Sequence, residues 1–174
     1  KVAAHVESPE GVRVAVEGGV DSIEHGSVPS DETLKLMKKR GAVQVLTISP
    51  ALPFFKLPFE VNYANEMSSY NSEVLATQML DCAKICLKNN IPVGLGTDTG
   101  CPFVEHDGTW REILLFQKYL ETDPAFALHT ATLLNAKIVG LDKVTGSVEE
   151  GKCADLLITE KNPLDDFHNL RDPF

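Results

Sequence analysis

The chain has 174 residues, 43% hydrophobic and 24% charged, with 16 Lys and Arg against 25 Asp and Glu for a formal net charge of −9. That size suits one domain, or one domain with a small appendage, and the composition is that of an ordinary soluble globular protein. An acidic chain with no basic run is a poor partner for nucleic acid or an anionic membrane, and no apolar stretch approaches the ~20 residues that cross a bilayer.

The first predicted strand spans 2–5 and ends in His5. Ser8, Pro9 and Glu10 then read as a helix start, with a hydroxyl cap, a proline in the first turn and an acid at the positive end. That helix stops at Gly18-Gly19, and a second strand over 20–25 ends in Glu24-His25. Ser30-Asp31-Glu32 caps a second helix, closed by Lys38-Lys39-Arg40 and Gly41. A third strand covers 42–48. Residues 49–71 hold Pro50, Pro53 and Pro58 with Phe54, Phe55 and Phe59, and read as a long irregular loop that covers either a substrate or the helices. Leu75, Met79, Cys82, Ala83 and Cys86 recur at helical spacing and predict a helix over 72–89.

The fourth strand, over 91–98, ends Gly96-Thr97-Asp98. A rich loop over 100–108 follows, then a helix over 110–120 and a helix over 125–140 introduced by Asp123-Pro124. Beyond residue 142 the texture changes. Residues 145–148 and 154–158 read as short strands joined by a turn, so the chain divides into 1–142 and 143–174. Four strand–helix repeats predict an α/β fold with a parallel sheet and right-handed crossovers, either a small open sheet or half of an eight-stranded barrel.

The chemistry-bearing residues lie at strand ends. In α/β sheets and barrels the site sits at the carboxyl ends of the strands. His5, His25 and Asp98 there would meet at one rim and could hold a metal ion, leaving a position open for water. His106, in the loop after the fourth strand, shares that rim, and Glu24 could orient an imidazole or bind substrate. Tyr63 and Tyr70 could donate to a substrate carbonyl, whereas His129 and His168 read as structural. Asp21 is expected to pair at the rim. The four cysteines, Cys82, Cys86, Cys101 and Cys153, contain no Cys-x-x-Cys pair and read as reduced thiols of a cytoplasmic protein. No Gly-x-Ser-x-Gly elbow, Walker A sequence or dinucleotide fingerprint is present.

These motifs resemble the amidohydrolase superfamily of metal-dependent hydrolases, nearest the group of imidazolonepropionase and the Xaa-Pro or Xaa-Arg dipeptidases. Val2-Ala3-Ala4-His5 resembles the fifth barrel strand, Gly19 through Gly26 the sixth, and Gly96-Thr97-Asp98-Thr99-Gly100 the eighth. His106-Asp107-Gly108 resembles the family's His-Gly element with one residue inserted, and Gly146 through Leu156 its return to a small β-sandwich. The resemblance implies the C-terminal half of a TIM (β/α)8 barrel, strands five to eight, plus part of that sandwich. It implies His5 and His25 as metal ligands, with His25 a substrate contact if one ion is held. It implies Asp98 as ligand and general acid/base, and Zn2+ as the cofactor, one or two ions. The expected activity is hydrolysis of a carbon–nitrogen bond in an amide, dipeptide or cyclic amide.

The family's His-x-His on the first strand and carboxylated Lys on the fourth have no counterpart here. The chain is therefore expected to be a fragment of a longer enzyme, to lack half the metal site, and to self-associate or require its N-terminal half. The alternatives are a deaminase of heterocyclic amines and a non-catalytic α/β scaffold.

Overall fold

The computed structural model describes residues 1–171. Four strands, β1 (Ala3–Val6), β2 (Ser22–His25), β3 (Val43–Leu46) and β4 (Val93–Leu95), form one parallel sheet in the order β1-β2-β3-β4. The order follows the chain without reversal. Right-handed crossovers then carry every connecting helix to the same face, as in a barrel wall. On that face Val6, Ile23, Leu46, Val93 and Leu95 meet Val12 and Val16 of α1 (Pro9–Gly18), Met37 of α2 (Asp31–Arg40), Met79, Cys82 and Cys86 of α5 (Glu66–Lys88), and Ile113 and Phe116 of α6 (Thr109–Leu120). All of these are 6% exposed or less, so they form the single core. The cysteines are free, and Cys82 and Cys86 are buried in it.

The predicted caps form. Ser8 accepts from the Gly11 amide at 3.1 Å and Ser30 from that of Thr33 at 3.2 Å, while Gly19 and Gly41 close their helices in the left-handed region at φ 87° and 72°. The loop predicted over 49–71 is instead mostly helical. It holds α3 (Leu52–Lys56), α4 (Phe59–Asn62) and the start of α5. Two local features organise it. Pro53 suits the first turn of α3, and Asn65 caps α5 by accepting from the Ser68 amide at 2.8 Å. The Asn62 amide donates to the carbonyls of Pro53, Phe54 and Leu57 at 3.0, 3.1 and 2.9 Å, locking the two short helices together.

The helix predicted over 125–140 is α7 (Pro124–His129) and α8 (Asn135–Val139) joined by a π-helical turn at Thr130–Leu134. In that turn the Thr132 hydroxyl donates to the Leu128 carbonyl at 2.7 Å, the back-bonding that bends helices. The side chain of Asn135 donates to the Leu95 carbonyl at 2.8 Å and accepts from its amide at 3.2 Å, pairing with the free edge of β4 as a strand would. Gly94 makes room, because a Cβ there would lie 2.7 Å from Ile138 Cδ1 and 2.8 Å from Asn135 Oδ1.

The segments predicted as strands at 145–148 and 154–158 form none, so no sandwich strand exists among the described residues. They find no sheet to join, and an isolated two-strand unit is marginal in water. The tail is held instead by the Cys153 amide on the Val144 carbonyl at 2.8 Å and by Lys152 Nζ on Ser147 Oγ at 2.5 Å. Val148 stays 87% exposed. A final 3-10 turn, Phe167–Leu170, returns Phe167 to the core against α6.

Candidate metal centre

Alternation along β1 puts Ala3 and His5 on the sheet face opposite the helices. His5 pairs in register with Glu24 of β2, which shares that face. Simple alternation would send His25 into the core beside its register partner Val6. It does not follow the alternation. His25 has φ 67°, a left-handed conformation unusual for a non-glycine residue and concentrated at functional sites. The backbone twist turns its imidazole to the His5 ring, at a centroid separation of 4.6 Å and an interplanar angle of 76°. The ligand atoms of His5, Glu7 and His25 all lie within 4.8 Å of one another.

Residues of the β3 segment hold His25 in this unusual state. Gln44, fully buried, donates from Nε2 to the His25 carbonyl at 2.6 Å and to the Met79 carbonyl of α5 at 3.0 Å. Thr47, just past β3, lies 2.6 Å from His25 Nδ1, and its hydroxyl donates to Met79 Sδ at 3.8 Å. The Thr47 hydroxyl thus fixes the ring through Nδ1, and in the tautomer that carries its proton there the Nε2 lone pair is open to a ligand. Burial holds the His25 pKa below the ordinary imidazole value, and the nearby His5 acts the same way against Asp98, Glu7 and Glu24. The ring is therefore neutral near pH 7, the state that binds a metal ion.

Asp98 is exposed at the end of the β4 segment, with φ 52°, and Cys101 Sγ contacts its Oδ2 at 3.3 Å. It acts electrostatically on His25 but is not among the three residues whose ligand atoms gather. Glu24 accepts from Ser22 Oγ at 2.6 Å and lines a cavity of about 1120 Å³ on the sheet face opposite the core, along with Val45, Ile138 and Leu156. His5 and His25 do not line that cavity. His106 is exposed in the turn before α6. Tyr63 is 76% exposed and packs edge-on against Phe59, so its contacts do not tie it to the histidine pair. Asp21, expected at the rim, precedes β2 instead. At that opposite end it accepts from the Val2 amide at 2.7 Å and pairs with Lys1 at 3.3 Å.

Sequence reasoning passed over Glu7, Gln44, Thr47 and Glu112. Glu7 had a signal, the His-x-Glu spacing at a strand end. Glu112 sits on the apolar face of α6, fully buried, and receives the amides of Ile48 and Ser49 at 2.6 and 3.0 Å and the Ser49 hydroxyl. It staples the loop after β3 beside the site.

Two imidazoles with a carboxylate are a donor set that suits a divalent ion such as zinc. A model of the amidohydrolase family matches residues 1–174. Ochratoxinase of Aspergillus niger is 30% identical over 175 residues, covering 99% of this chain and 35% of that protein. A Bifidobacterium longum protein solved as a candidate prolidase superposes with a TM-score of 0.94 at 41% identity, over 99% of this chain and 44% of the other. A Xaa-Pro dipeptidase with methionine bound in its active site gives a TM-score of 0.85 at 29% identity, over 99% and 42%. This chain thus spans less than half the length of each relative. Because the family match runs from its first residue to its last, the chain belongs to the amidohydrolase family.

Proposed function

We propose that the protein carrying this chain is a zinc-dependent hydrolase of carbon–nitrogen bonds, acting on dipeptides of the Xaa-Pro type. The observation that carries the reading is the convergence of the His5 and His25 rings, 4.6 Å apart at neighbouring strand ends. The substrate class is supported by the 41% identity to the candidate prolidase and the 29% identity to the Xaa-Pro dipeptidase.

His5 and His25 hold the ion. When bound, such an ion polarises the scissile carbonyl and brings the pKa of water down to ~7. Asp98 takes the proton from the attacking water. As the new carbon–oxygen bond forms, Asp98 returns the proton to the leaving nitrogen while the carbon–nitrogen bond breaks. The β1–β2 register sets Glu24 next to His5 on the face opposite the core, where it can orient a substrate amine.

The test is ion-dependent hydrolysis of Xaa-Pro dipeptides by the protein carrying this chain. Asp98→Asn is expected to lower kcat by ~10²–10⁴-fold with zinc content unchanged. Chelator-insensitive turnover, or an Asp98→Asn protein as fast as wild type, would overturn the reading. Release of ammonia from a heterocyclic amine with no dipeptide cleavage would point to a deaminase.

A further inference from the structure

We propose that Glu112 is a positioning residue: by gripping Ile48 and Ser49 it holds the Thr47 hydroxyl against His25, and it fixes that segment relative to the loop that carries Asp98. The inference rests on the metal-hydrolase reading and gives a role to a residue that reading does not use.

Three observations support it. First, Glu112 is the one buried carboxylate among the described residues, and both of its oxygens serve a single two-residue segment. Oε1 accepts from the Ile48 amide at 2.6 Å, and Oε2 accepts from the Ser49 amide at 3.0 Å and from the Ser49 hydroxyl. Consecutive amides of an extended strand point to opposite sides, whereas these two converge on one anion. The chain therefore turns just past β3 at a point the carboxylate fixes, and the Ala51 amide closes the turn on the Ile48 carbonyl at 3.2 Å. Second, the residue directly before that turn is Thr47, whose Oγ1 lies 2.6 Å from His25 Nδ1. Thr47, Ile48 and Ser49 are all buried, and a close-packed segment passes a shift at its amides on to the neighbouring hydroxyl. Third, Glu112 stands in the first turn of α6, the helix that follows the segment carrying Asp98. One side chain thus joins two neighbouring strand-end loops. Phe54 and Phe103 join the same two loops again, edge to face at a centroid separation of 6.1 Å.

A buried carboxylate costs stability that an apolar side chain of similar size does not. What it adds is direction, because two amides and a hydroxyl meet it at one place. An imidazole that binds an ion through one nitrogen needs the other nitrogen held, and losing such an outer partner costs ~10–100-fold in metal affinity or activity. Glu112 acts one contact further out, so its loss is expected at the lower end of that range, about 10-fold.

The experiment compares the protein carrying this chain as wild type, Glu112→Gln, Glu112→Leu and Ser49→Ala, with circular dichroism to confirm folding. Three quantities are read: ¹⁵N shifts of the His25 ring in the ion-free protein, zinc affinity against a chromophoric chelator, and kcat and KM for an Xaa-Pro dipeptide. Glu112→Leu removes every acceptor and should move the ring shifts, weaken zinc binding about 10-fold and lower kcat with KM unchanged. Glu112→Gln keeps one acceptor, and Ser49→Ala keeps both amides, so both should fall between Glu112→Leu and wild type. A role confined to stability would move the urea midpoint and none of these readings. If folded Glu112→Leu keeps the wild-type ring shifts and zinc affinity, the proposal is overturned and the hydrolase reading stands. Should Glu112→Leu not fold, Glu112→Gln and Ser49→Ala decide by the same two readings. Wild type that binds zinc without cleaving a dipeptide overturns the hydrolase reading alone, and the ring shifts and zinc affinity still decide the role of Glu112. Wild type that does neither overturns both.

Discussion

At the scale of single residues, one torsion and two buried polar side chains create the site. A histidine with ordinary strand dihedrals at position 25 would point to the helices. At φ 67° it points to His5, and Gln44 and Thr47 fasten its carbonyl and its ring. Thr47→Val keeps the shape and removes the hydrogen-bond partner of Nδ1. It is expected to weaken zinc binding ~10–100-fold, the usual effect of losing an outer-shell partner. In the ion-free protein, ¹⁵N shifts of the His25 ring should change from a single Nε2-free tautomer to a mixture. An unchanged tautomer would show that Thr47 does not set it. The histidines themselves were legible as strand-end residues. Gln44 and Thr47 were not, because a polar residue in a strand carries no mark of the carbonyl or ring it meets 19 or 22 positions away.

Among elements, α6 is tied to the loop after β3 by Glu112. Burial pushes this carboxyl up to about 7, against the pull of three donors from Ile48 and Ser49. A carboxyl whose folded pKa lies above its unfolded value of 4.5 binds its proton more tightly when folded. Its contribution is therefore fully present below pH 4.5 and is lost as pH rises through 7, about 3 kcal/mol in all. Glu112→Gln cannot ionise. Its stability curve in urea, subtracted from that of wild type between pH 4 and 8, should isolate this slope, and a flat difference would refute it. Elements also divide what sequence could read. The capped helices α1 and α2 were legible because Ser, Pro and Gly act on their nearest neighbours. The strands expected at 145–148 and 154–158 were not realised, since alternation describes a face and a strand also needs a partner.

For the whole molecule, the sheet packs its core on one face and on the other lines a cavity shared with Ile138 and the tail. Val2, Val148, Leu156 and Ile158 are between 60% and 87% exposed, and β1 has one neighbour among the described residues. An open edge and exposed apolar side chains favour association. The 174-residue chain is expected to gain mass with concentration in sedimentation, and the paired substitutions Val148→Lys and Ile158→Lys should move it toward monomer. A constant monomer mass at high concentration would contradict this. By itself, the sequence determined four strand–helix units in a parallel α/β arrangement, the family, and the histidines at two strand ends. Those signals are local: turn chemistry, periodicity and short motifs. Only the tertiary structure decided that the strands run in order as a barrel wall, that Asn135 closes the edge of β4, and that the rings of His5 and His25 meet. These depend on side-chain direction and on contacts between distant segments, which follow from backbone torsions and packing that no local pattern encodes.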